Sequence, residues 1–156
     1  MDPVVATLVE RSKWVHQVLR DEVRELTPEQ LDFTPAPGTN SIAALIAHTV
    51  GSETELWSTV ASAGFTRNRA GEFTTKGKTA AELIRLLDAA DYMLDELAPR
   101  IDLNALAAVW QRPNGEAQTG AYWLINSFSH IREHMGHLQL TKQLFPDRFP
   151  GVARPY

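Results

Sequence analysis

The chain has 156 residues, 44% of them hydrophobic and 22% charged, which suits one globular domain with a core of its own. Its formal charge of −4 offers no basic footprint for nucleic acid. It has no cysteine, so disulfides, thiolate metal sites and a cysteine nucleophile are all excluded.

The opening segment from Met1 to Trp14 turns polar and charged within ten residues. That is not the pattern of a secretory signal, and no stretch approaches the length of a membrane span. We therefore expect a cytoplasmic protein with no membrane partner.

Asp2-Pro3 is a helix start, with Asp as cap and Pro at the first helical position. Val4, Leu8, Val15, Leu19 and Leu26 follow at helical spacing and predict a helix over about residues 3–25. Thr27-Pro28-Glu29-Gln30 has capping-box spacing but opens only one turn, because Pro35, Pro37 and Gly38 follow. Asn40-Ser41 begins a second long helix, with Ile42, Leu45, Ile46, Leu56 and Val60 on its apolar face and Gly64 at its end. The polar run 66–78 reads as a loop, pinned by Phe65 and Phe73.

Thr79 to Glu82 is another capping box. Leu83, Leu86, Leu87, Ala90, Leu94 and Leu97 predict a third long helix as far as Pro99. Residues 100–118 are mixed, with a turn at Pro113-Asn114-Gly115 and no convincing strand. A fourth helix is predicted over about 120–144, carrying Leu124, Phe128, Ile131, Met135 and Leu138 on one stripe. Pro146 stops it, and the tail is too rich in proline to continue. The chain thus reads as an all-α four-helix bundle, and its long connection between the second and third helices is long enough for a crossover.

Three of the five histidines fall in the last helix. His130 and His134 are four residues apart, so both project from one face about one turn apart. That spacing suits two imidazoles chelating one ion. His137 lies about 10 Å along the axis from His130, so a straight helix cannot easily bring all three to one ion. A third ligand should come from elsewhere. His48 is the obvious donor, set among Ala44, Leu45, Gly51 and Ser52, small neighbours that would leave room for an ion. Two other readings of these residues stay open. His48 could be a core histidine bonded to backbone, and the set could be a polar seam that fixes helix register. His16 has no partner pattern and reads as a surface or boundary residue.

The string His130 to His134 also fits the inverted zinc-peptidase motif H-x-x-E-H. Those peptidases need a further acidic ligand and a larger mixed fold, so Glu133 is only a weak candidate base. A carboxylate-bridged di-iron bundle fails as well, because no histidine here has Glu three residues before it.

Two stretches resemble the DinB superfamily, also called DinB/YfiT-like proteins. One runs from Pro35 to Trp57 as PxxGxNSIAxLIAHxxxxExxxW; the other is H-x-x-x-H-x-G-H-x-Q, from His130 to Gln139. The resemblance implies a bundle with a long crossover and a divalent metal, zinc or nickel, held by His48, His130 and His134. Relatives often have Gln where this chain has His137, which leaves that residue's role open. The resemblance further implies frequent homodimers, and transferase or isomerase relatives that use a low-molecular-weight thiol.

Three histidines leave a divalent ion with open positions. Glu53, Glu55, Tyr122 and Asn126 are polar groups that could assist there, and Trp57 and Trp123 could wall a pocket. Glu55 shares the helix face of His48 and is the other weak catalytic candidate. Two functions compete. One is a metal-dependent transferase, hydrolase or isomerase with an open site. The other is a non-catalytic metal- or ligand-binding bundle, used in stress response, with a closed fourth ligand. Coordination by His137 would favour the second.

Overall fold

A computed structural model describes residues 1–146 and Phe149. The proline-rich tail expected after Pro146 otherwise lies outside the described residues.

Helix α1 spans Pro3–Val23, and the Asp2 carboxylate accepts from Val4 N at 2.8 Å to cap it. The single turn α2, Pro28–Leu31, carries both halves of its capping box between Thr27 and Gln30. Ser41 caps α3, Ile42–Val60. The short helix α4, Arg69–Phe73, interrupts the segment expected to be a loop. Asn68 caps it, and five residues are too few for a readable apolar period. Thr79 and Glu82 form the reciprocal box at the head of α5, Ala80–Leu97. A 3₁₀ turn over Ala98–Arg100 leads to α6, Leu103–Ala107.

The absence of strands does not hold. Val109–Gln111 and Ala117–Thr119 form an antiparallel hairpin, β1 and β2, around the turn at Pro113-Asn114-Gly115. Three-residue strands are too short to alternate visibly, so only their turn is legible in the sequence. Helix α7, Gly120–Gln143, closes the fold.

Helix α3 packs against α5 and α7, and α1 packs against the same two helices. The consecutive long helices α1 and α3 therefore face each other across the bundle diagonal. The face of α1 is also shifted from the expected stripe: Val4 is exposed, and Val5, Val9 and Val23 join Val15 and Leu19 inside.

The core is divided along its length. One apolar cluster holds Leu19, Ile46, Leu87 and Ile131; the other holds Val9, Leu56, Leu94 and Leu124. Each fully buried Leu or Ile stabilises the fold by about 1.5–3 kcal/mol. Between the clusters each long helix places polar residues: Ser12 and His16 on α1, Glu53 on α3, Asp91 on α5 and Ser127 on α7. His16 is completely buried, not the surface or boundary residue expected. Its Nε2 lies 2.8 Å from Glu53 across the diagonal, and its Nδ1 lies 2.7 Å from Asp91. Arg20 also pairs with Asp91, and with Asp88 at 2.8 Å. No described helix is long and apolar enough to cross a membrane.

Candidate metal centre

His48 projects from the middle of α3 and is buried. Its Nδ1 lies 3.0 Å from Glu72 Oε2 on α4. Arg67 holds that carboxylate in a fork, with Nε donating to Oε1 and Nη2 to Oε2, both at 2.7 Å. Gly51 makes this approach possible. A Cβ built there would lie 2.1 Å from Glu72 Oε1. The space beside His48 that suggested room for an ion is thus filled by an acidic side chain that orients the ring. The Phe73 ring packs on His48 with centroids 4.5 Å apart.

His130 and His134 project from one face of α7 toward His48. The Nε2 atoms of His130 and His134 are 3.0 Å apart, and those of His48 and His130 are 3.2 Å apart. The three residues form a group whose ligand atoms all lie within 4.8 Å of one another. Nitrogens bound to zinc at about 2.0–2.1 Å are spaced about 3.3 Å apart in a tetrahedron, so the observed spacing fits a bound ion. Arg67 Nη2 also lies 3.1 Å from the Nδ1 of His48 but makes its shorter bond, 2.7 Å, to Glu72. With the Nδ1–H donated to Glu72, Nε2 carries the lone pair that a metal requires.

The electrostatics favour the same state. Burial, then the neighbouring His48, pushes His130 down to about 4. Burial and the His130 charge push His134 down to about 3. Burial also lowers His48, against the opposing pull of Glu72. All three rings are neutral at pH 7, as ligands must be.

His137 stands outside this group. Its Nδ1 lies 3.2 Å from the Nδ1 of His134, on the side of that ring away from the Nε2 cluster. Three histidines therefore converge, and the fourth position has no histidine.

The remaining candidates divide. Glu55 is buried on the His48 side of α3, but ion pairs occupy it: Arg67 at 3.5 Å and Arg112 at 2.6 Å. Glu133 is exposed, and only its field reaches His130. Glu53 lies in the mid-bundle layer with His16. Tyr122 and Asn126 line a cleft of about 410 Å³ with Trp123 and Arg112. A second cleft, of about 470 Å³, lies on the Glu55 side of Arg112. Trp57 and Trp123 both belong to the buried core; Trp123 also lines the cleft, and its indole donates to Trp110 O at 3.0 Å. Glu72, Arg67 and Arg112 were not foreseen. They stand in short or irregular segments, where no period marks a side chain as inward.

A family model described as the DinB superfamily matches residues 11–138. The chain belongs to the DinB superfamily. Among solved structures, this DinB-superfamily chain is similar to a conserved protein from Enterococcus faecalis, with TM-score 0.75 and 14% identity over 92% of this chain and 98% of that one. It is also similar to a candidate member of the DinB family from Exiguobacterium sibiricum 255-15, with TM-score 0.66 and 21% identity over 96% and 99%. A mycothiol-dependent maleylpyruvate isomerase matches with TM-score 0.65 and 12% identity over 86% of this chain, which spans 60% of that enzyme. At these identities the likeness establishes the fold. No curated protein matches the chain in sequence.

Proposed function

We propose that the chain is a metal-dependent enzyme that joins a small thiol to an electrophile, or runs a related isomerisation or hydrolysis, at zinc or nickel held by His48, His130 and His134. The observation that carries this reading is the convergence of three neutral imidazoles, with His137 turned away. A divalent ion so held lowers the pKa of a bound water or thiol toward neutrality. The chain has no cysteine, so the thiol is a cosubstrate. Family membership supports the reading, and so does a structural neighbour named for its dependence on a thiol.

The chain's own residues supply the rest. Glu72 orients His48, and Arg67 fixes Glu72. Arg112 lines both clefts and pairs with Glu55 in one of them. In the other, Tyr122 and Asn126, the latter one turn before His130 on α7, offer hydrogen bonds to a polar substrate. We further propose a cytoplasmic homodimer.

The test has two parts. Elemental analysis of purified protein should give about one zinc or nickel per chain. Metal-loaded protein should then consume a small thiol in the presence of electrophiles, at a rate that removing the metal abolishes. Metal without turnover across a broad panel of thiols and electrophiles would instead favour a binding bundle.

A further inference from the structure

The polar layer at mid-bundle holds more buried polar atoms than its ion pairs satisfy. Ser12 Oγ, Ser127 Oγ and Glu53 Oε1 are buried there without a hydrogen-bond partner, and so is Nε1 of Trp57, a core residue one turn after Glu53 on α3. His16 Nε2 and Glu53 Oε2 attract at 2.8 Å, yet their alignment is too poor for a hydrogen bond. All five parent residues are at most 1% exposed. Such groups are rarely left alone in a folded protein.

The same layer reaches toward the metal centre. Ser127 precedes His130 by three residues on α7. The Nδ1 of His130 is also buried and unpartnered. The other two histidines of the centre do have a neighbour at Nδ1: Glu72 for His48 and His137 for His134. A histidine that binds a metal normally donates its second N–H to an acceptor.

The atoms themselves select the ligand. Trp57 can only donate, a Glu53 carboxylate can only accept, and the two serine hydroxyls can do both. A cation would leave the Trp57 N–H unsatisfied, and an anion would face Glu53. Water satisfies donors and acceptors together, and buried water commonly makes about three such bonds.

We propose that ordered water fills this layer and carries the hydrogen-bond network from His16 and Glu53 to Ser127 and the Nδ1 of His130. Glu53 and Ser127 are then positioning residues for a metal ligand, acting through water. This role for His130 rests on the metal-centre reading; the water layer itself does not.

A high-resolution crystal structure of the full chain tests the layer. Ordered water about 2.7–3.2 Å from Ser127 Oγ and a Glu53 oxygen is expected. A dry layer, with both serine hydroxyls turned onto carbonyls of their own helices, would overturn it. In solution, the Trp57 indole N–H should show an NOE to water, and its absence would also count against the proposal. Ser127→Ala should weaken zinc binding about tenfold, read by competition with a chromophoric chelator, with the helical circular dichroism unchanged. Glu53→Gln is the second variant and should act in the same direction. Unchanged zinc affinity in both would overturn the reach to His130. A wild-type chain that binds no zinc would sink the metal-centre reading, while the crystal structure and the indole would still test the water.

Discussion

Glu72 stands 3.0 Å from the Nδ1 of His48, although the two belong to different helices joined by an irregular connection. The contact fixes the face of the imidazole that looks toward His130. Glu72→Ala should therefore lower zinc affinity about 10–100-fold without removing any ligand. Competition titration against a chelator reads this directly. Affinity within twofold of wild type would mean that Glu72 does not orient the ring.

Gly51 should matter for the same reason. Gly51→Ala places a methyl where the Glu72 carboxylate now lies, 2.1 Å from its Oε1. Alanine suits a helix better than glycine by about 1 kcal/mol, so α3 alone would gain stability. Zinc affinity should nevertheless fall, as in the Glu72 variant. A Gly51→Ala protein with undiminished zinc binding would contradict the close approach of α4.

Much of this was legible in the sequence, because long helices announce themselves. The caps Asp2, Thr27, Ser41 and Thr79 are residues that accept backbone N–H bonds, and all four do so. His130 and His134 converge because a four-residue spacing leaves a helix little choice. His48 is different: α3 alone does not say which helix its ring faces, and the family pattern nominated it. Arg67, Glu72 and Arg112 were illegible because their placement depends on how short segments fold back on α3. His16 was misread because a buried charged histidine needs partners distant in sequence. Glu53 and Asp91 supply them.

The buried histidines give the metal-free protein a pH profile with two limbs. Burial opposes a charge on His16, but Glu53 and Asp91 prevail and raise it to about 9. Its contribution is complete below about 6.5, the unfolded value, and is lost as pH rises through about 9. A shift of that size corresponds to roughly 3 kcal/mol. His130 and His134 act oppositely: with native values of about 4 and 3, they hold fewer protons than the unfolded chain below about 6.5. Stability from these groups therefore falls as pH drops from there. Thermal melts across pH should show a maximum near the unfolded histidine value, with the alkaline limb absent in His16→Gln. An alkaline limb that survives in that variant would assign it to other groups.

Metal should also stabilise the fold by mass action. Free zinc at a hundredfold excess over its dissociation constant adds about 2.7 kcal/mol to the native state. Stripping it with a chelator should lower the melting temperature, and adding zinc back should restore it. A melting temperature indifferent to metal that is demonstrably bound and removed would show that the site forms in the unfolded chain as well.

The central claim is that His48, His130 and His134 hold one ion while His137 does not. Metal content by elemental analysis, in the wild type and in each single alanine variant of these four residues, tests it most directly. We expect about one equivalent in the wild type, loss in the His48, His130 and His134 variants, and retention in His137→Ala. Wild-type protein that takes up no divalent metal, or a His134→Ala protein that keeps its full equivalent, would contradict it.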